Sequence, residues 1–263
     1  MRHAQAGVAH GWEPMEGLYP LDYIRIQVVY ARKMAELAHR ELADTLLDQT
    51  ALYKMLGAQG DFDAADPIWR ELLARLDAKA DVEGLARALH AYYLERAQEM
   101  ATHRVQHGDD RQWGCFAFDW RPQRRAIRIH FTNQDAPEPG ALSHQRMAIR
   151  LAELRAMFVA VRQERPDAER VIGASWLYNI EAYRRLFPAT FGASAAPTEP
   201  GFQYRALWGQ FLRSDWSLNM ERADELLGKV AHLTDPAQAA GCFPFQVLQT
   251  HAPIAAFHAF YDL

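Results

Sequence analysis

The segment Arg125–Phe187 constrains the fold of this chain more than any other. It reads as a strand (Arg125–Phe131), a loop rich in Asn, Asp, Pro and Gly (Asn133–Gly140), a long amphipathic helix (Ser143–Arg165), a buried strand (Arg170–Leu177) and a short basic-aromatic helix (Asn179–Phe187). In the long helix Met147, Leu151, Leu154, Phe158 and Val161 recur at spacings of four, three, four and three, one helical face, and Pro166 ends it. Val171–Leu177 is almost continuously apolar, which fits a strand buried on both faces. In the first strand Ile127, Ile129 and Phe131 share one face, and Ala126, Arg128 and His130 share the other. The order is a βαβα unit, with a polar loop where α/β proteins bind ligands.

The rest of the chain is arranged around that unit. Residues 1–19 read as an irregular arm. From Pro20 to Gly108 the signals are helical. Ile24, Val28, Ala31, Ala35, Ala38 and Leu42 follow one face, Thr50–Leu56 makes a short helix, and Asp66-Pro67 opens another with a capping carboxylate and a proline in its first turn. A longer helix begins at Asp81. The composition then shifts. Trp113–Trp120 and Arg125–Phe131, rich in aromatic and β-branched residues, flank Arg121-Pro122-Gln123-Arg124 and predict an antiparallel pair. Gly192–Gly201 is the best candidate for a mobile loop, and helices follow over Phe202–Leu212, Leu218–Leu233 and Ile254–Tyr261. The expected fold is α+β, a mixed α/β protein. A helical part (20–110) packs on or covers a small mixed sheet within 111–263, with helices again at the C-terminal end, as one unit rather than two.

Composition excludes several classes. Hydrophobic residues make up 49% and charged residues 24%, ordinary values for a globular protein. No window approaches about 18 uninterrupted apolar residues, the length of a membrane span. With 29 basic and 33 acidic residues the net charge is −4, which gives no global attraction for nucleic acid or an anionic membrane, and neither is expected as a partner. The N-terminus lacks the apolar run of a signal peptide. Cys115 and Cys242 each lie in an apolar context and fit buried thiols of a reducing compartment, so the expected location is cytoplasmic.

Four places carry groups suited to chemistry. His130 stands one residue before its strand ends, near Arg128 and Asn133. Its imidazole suits a general base and Arg128 suits an anionic group. Ser175, Tyr178 and Asn179 lie at the carboxyl end of the buried strand, where ligands of α/β sheets sit. His130, Tyr178 and Ser175 are the candidate catalytic residues; Arg128, Asn133 and Asn179 are the candidate substrate-binding residues. Asn179 is also well placed to cap the helix that follows. Ser143 reads as an ordinary N-cap of the long helix, and Asp135 and Glu138 just before it oppose a phosphate there. His103 and His107 share a helix face, but the Glu of the zinc-protease motif is missing; a structural role is expected and no metal is assigned. There is no Walker sequence, no Gly-x-Gly-x-x-Gly and no Gly-x-Ser-x-Gly, and these residues by themselves assign no cofactor.

The layout of Arg125–Phe187 resembles the central part of the acyl-CoA-dependent N-acyltransferases: strand, cofactor loop, long helix, strand, then a helix opened by Asn. Asn179, with Ala182 three positions on and then Tyr183, is similar to the Asn-x-x-Ala…Tyr pattern of that family. In place of the family's Arg/Gln-x-x-Gly-x-Gly/Ala loop this chain has Asp135-Ala136-Pro137-Glu138-Pro139-Gly140-Ala141. The resemblance implies acyl transfer from an acyl-CoA donor. The leading expectation is therefore an enzyme acting on a small polar molecule, of the group-transfer kind, with its ligand between two strand ends. The alternative is a non-catalytic interaction protein or a self-associating homo-oligomer, for which seven tryptophans and a helical first half provide surface.

Overall fold

The helical signals ahead of residue 108 become α1 (Leu21–Ala38), α2 (Leu42–Gln49), α3 (Leu52–Met55), α4 (Pro67–Arg75) and α5 (Val82–His107) in the computed structural model, which describes residues 18–58, 62–77, 79–107, 112–135 and 138–263. The arm at residues 1–17 and the side chains of residues 101–107 lie outside the described residues. α1 stops short of its apolar period. His39 turns left-handed (φ 52°), its amide closes on the carbonyls of Ala35 and Glu36, and Leu42 begins α2 rather than continuing α1. A left-handed residue after the last turn ends a helix whatever the pattern beyond it. Asp66 caps α4 as expected, its Oδ1 accepting the Ile68 amide at 2.8 Å, with Pro67 in the first position.

The chain then forms β1 (Gln112–Trp113), β2 (Phe116–Arg121), β3 (Ala126–Phe131), α6 (Met147–Glu164), β4 (Arg170–Ser175), α7 (Glu181–Arg184), α8 (Ala189–Ala193), β5 (Ala196–Pro197), α9 (Arg205–Trp208), α10 (Met220–Ala231), β6 (Leu248–Pro253) and α11 (Ile254–Phe260). The strands make one sheet in the order β1-β2-β3-β4-β6-β5. β2 and β3 form the expected antiparallel pair, from Phe116↔Phe131 to Arg121↔Ala126. β3 and β4, joined through α6, are the parallel pair. The fold is α+β, with a helical layer beside a small mixed sheet. Two strands carried no signal. β5 falls inside Gly192–Gly201, which reads as a loop, because Ala196-Pro197 has no apolar alternation and is held only by pairing with β6. β6 alternates buried and exposed positions, but its buried residues are the small or polar Thr250 and Ala252.

Strand alternation separates two cores. Ile127, Ile129, Val171 and Ala252 face Leu154, Met157, Phe158 and Val161 of α6 and Phe257 of α11. On the other face, at the β4–β6 side, Ala174 and Val247 meet a core of Tyr23 and Tyr30 from α1 with Trp208, Phe211 and Phe243. That core is drawn from both ends of the sequence, with α1 packed against α5 and also α10. Cys115 and Cys242 are buried free thiols. No described helix is long and apolar enough to cross a membrane.

A buried charge anchors the loop after β3. Arg150, 1% exposed near the start of α6, lies 2.6 Å from Asp135 and 2.7 Å from Glu153. Arg146 adds a second cation, 3.1 Å from Asp135. Glu153 accepts the Cys115 amide at 3.1 Å. Burial pushes the Glu153 carboxyl above its ordinary range, against the pull of that amide and of Arg150. Gly114, at φ +58°, comes so close that a Cβ there would overlap the Glu153 carboxylate. The clamp joins three elements: the loop after β3, α6 and the β1–β2 turn. Such a pair is costly to bury and costlier to halve. Arg150→Met should lower the unfolding free energy by about 3–5 kcal/mol in chemical denaturation, because Glu153 is left without its cation and Asp135 keeps only Arg146. Arg162→Met, on the exposed side of the same helix, should change it by less than about 0.5 kcal/mol.

Candidate functional site

β3 and β4 run side by side only from Ala126↔Arg170 to Arg128↔Ile172. Each then keeps its outer neighbour. β3 stays on β2 as far as Phe131↔Phe116, and β4 stays on β6 as far as Ser175↔Leu248. Ile129–Phe131 and Gly173–Ser175 therefore part from each other, and a gap opens at the carboxyl ends of the parallel pair, the place where sheets of this kind bind ligands. Thr132 donates its amide to Cys115 O at 2.9 Å, so by alternation the Phe131 amide points toward β4. Arg170 donates to Arg125 O at 3.4 Å, so the Ala174 amide points toward β3. The gap is an internal sheet edge.

On the sheet face away from α6, β2 and β3 carry Asp119, Arg121, Arg128 and His130. The side chains of His130 and Asp119 are 40% and 46% exposed. His130 Nε2 comes within 2.8 Å of Asp119 Oδ2, off the line of a hydrogen bond. Arg121 donates to the same oxygen at 2.8 Å. Burial lowers the His130 pKa, Asp119 raises it, and Arg128 and Arg121 push it down again. The net is below the ordinary value, so the ring is neutral at neutral pH. Burial pushes the Asp119 carboxyl up, but His130, Arg121 and Arg128 outweigh it and hold the group below its ordinary range. Burial and then Arg121 lower the pKa of Arg128, which stays charged. Asp119 is a site residue that the sequence reading misses. Its signal lies in the register: counting back from the turn sets Asp119 opposite Arg128 and diagonal to His130.

The remaining expected residues are placed differently. Tyr178 is 1% exposed and lies on the α6 face, opposite His130, with its hydroxyl over Gly173, the first residue of β4 beyond the paired stretch. A Cβ at Gly173 would overlap that hydroxyl. Burial pushes the phenol up to about 12, with Thr250, Tyr183 and Arg128 opposing. Ser175 Oγ accepts the Leu177 amide at 3.1 Å and starts the 3₁₀ turn Trp176–Asn179. Asn179 does not cap α7, whose N-cap is Ile180. Its amide donates to Trp176 O at 2.7 Å and to Gln246 O at 2.8 Å, tying the exit of β4 to the approach of β6. Asn133 donates to Ser214 O at 2.8 Å and ties the loop after β3 to the 213–217 turn. Ser143 is the N-cap of the 3₁₀ turn His144–Arg146, yet its hydroxyl makes no capping bond. Asp135, expected to oppose a phosphate, is paired with Arg146 and Arg150. The His103 and His107 side chains lie outside the described residues, and among the described residues no three metal-ligating side chains cluster. The large apolar residues that are exposed, Ile149, Tyr204, Met220 and Phe260, sit on separate elements.

No protein family, curated protein or solved structure matches this chain.

The His130 ring should titrate below about 6.5 by NMR. Asp119→Asn should lower its midpoint further and Arg128→Gln should raise it. Because the fold disfavours the imidazolium, the stability that neutral His130 contributes is present above about pH 6.5 and is lost as pH falls through the lower folded midpoint. At the gap, Gly173→Ala should destabilise by about 1–3 kcal/mol through overpacking. Tyr178→Phe, which removes the overlapping hydroxyl, should make the double variant more stable than the sum of the single ones in thermal denaturation.

Proposed function

We propose that the protein is a group-transfer enzyme that acts on a small polar molecule and takes its acyl group from a thioester such as an acyl-CoA. The observation that carries this reading is the gap between β3 and β4: an unpaired internal edge, with the amides of Phe131 and Ala174 facing it, beside a neutral histidine held against a carboxylate. An extended amide-bearing arm, such as that of coenzyme A, adds to such an edge as a strand would. The layout of strand, loop, long helix and parallel strand supports the same class, as in the N-acyltransferases that Arg125–Phe187 resembles. Pairing of Asp135 with Arg146 and Arg150 also offsets one of the two carboxylates, Asp135 and Glu138, that would repel a phosphate near the start of α6.

In this mechanism His130 takes a proton from the acceptor's ammonium, and Asp119 stabilises the imidazolium that forms. The freed amine attacks the thioester carbonyl. A C–N bond forms, the C–S bond breaks, and the thiol leaves with a proton. Tyr178, protonated at neutral pH and placed over Gly173, is the group proposed to supply it; its phenolate then takes up the second proton shed by the attacking nitrogen, and His130 releases the first to solvent. Ser175, Asn133 and Asn179 shape the gap by holding the segments around it. Calorimetry should show acetyl-CoA binding to the wild type. In a thiol-release assay over a panel of small amines, His130→Ala should cut the rate roughly 10²–10⁴-fold with the fold intact. A wild type that binds no acyl-CoA at millimolar concentration contradicts the reading.

A further inference from the structure

We propose that the acceptor carries a compact oxyanion, a carboxylate or a phosphate, and that Arg128 binds it. The word acceptor rests on the group-transfer reading; the anion site does not.

Arg128 is a half-buried guanidinium on β3, and among the described residues no hydrogen bond or ion pair reaches it. The other described arginines that are not exposed each meet a carboxylate or a main-chain carbonyl. Arg150 holds two carboxylates, Arg25 meets Asp22 and Glu83, and Arg222 donates to Gln210 O while stacking on Trp176 and Phe245. Nothing comparable surrounds Arg128. Asp119, across the β2–β3 pair, is already shared by Arg121 and His130. β4 offers Ile172 at the paired position, and the phenols of Tyr204 and Tyr178 are the other groups near enough to act on it. With His130 neutral, the β2–β3 face among the described residues holds the guanidinium charges of Arg121 and Arg128 against the one carboxylate of Asp119, a net positive charge.

A half-buried charge without a partner is partly desolvated, a cost that an incoming anion offsets. The planar fork of a guanidinium matches the two oxygens of a carboxylate or phosphate. The spacing then specifies the rest of the molecule. Arg128 and His130 are two residues apart on one strand face, about 7 Å along the chain. A ligand anchored by its oxyanion at Arg128 presents a group a few bonds away to His130. That describes a short molecule with an amine and an anionic group, such as an amino acid or a phosphorylated amine.

The test is an NMR titration of the full chain with sodium acetate and, separately, with sodium phosphate at constant ionic strength. The arginine Nε–H signals and the His130 ring are followed. The expected result is a saturable shift of the Arg128 signal and a raised His130 midpoint with at least one of the two anions. The more effective anion identifies the oxyanion. Arg128→Gln should weaken that binding about tenfold or more, the worth of a charge-assisted bond, while exposed Arg162→Gln should leave it unchanged. Two results overturn the proposal: no Arg128 shift with either anion in the folded wild type, or equal binding by folded Arg128→Gln. If an anion binds saturably but acetyl-CoA does not, the anion site stands and the transferase reading falls. If acetyl-CoA binds and neither anion does, the reverse holds.

Discussion

The parting of β3 from β4 is the constraint on which the rest of the structure depends. Both strands have a stronger commitment on their outer side. β3 is zipped to β2 along its full length, and the chain beyond it is drawn to the β1–β2 turn by the Thr132 and Gln134 amides and to α6 by Asp135. β4 is zipped to β6 to its last residue, and Ser175 then turns it into a 3₁₀ turn. Two parallel strands with different destinations cannot stay paired. Gly173 and Tyr178 complete the gap: the phenol fills space that any Cβ would claim, so the fold holds a buried hydroxyl against the backbone of β4. A gap made in this way belongs to the fold and does not wait for a ligand to open it.

Two arginines differ in how their charge is met. Arg150 is nearly inaccessible and has its carboxylates in place, so its charge is spent on structure. Arg128 is half-buried and, among the described residues, has no such partner. The sheet separates their surroundings as well. The α6 face is packed with aliphatic and aromatic side chains, while the β2–β3 half of the opposite face keeps Asp119, Arg121, Arg128 and His130 next to solvent.

The elements read most directly from sequence were those in which one strong pattern decides the outcome. The apolar period of α6 gave its helix, the continuous apolar run gave β4, and Asp66-Pro67 gave the start of α4. β5 and β6 were hidden because small and polar residues become strands only through their neighbours. α1 ends where a single left-handed residue overrides an apolar face that continues to Leu42. In the candidate site, Arg128 and His130 were legible from strand alternation, and Asp119 becomes so once the hairpin register is counted. Ser175, Asn133 and Asn179 show the opposite limit. A polar residue at a strand end has the same hydrogen-bonding groups whether it holds a ligand or a turn, and here all three hold turns. Tyr178 was legible only as lying past the end of β4; the 3₁₀ turn after Ser175 folds it back over Gly173, on the face opposite His130.

Amide hydrogen exchange at the gap tests the parted sheet most directly. In the free protein the amides of Phe131 and Ala174 should exchange far faster than that of Val171, whose neighbours on both sides are paired, and saturating acetyl-CoA should slow both. Protection of Phe131 and Ala174 equal to that of Val171 in the free protein would mean that the strands close on each other, and the proposed site would have no edge to offer.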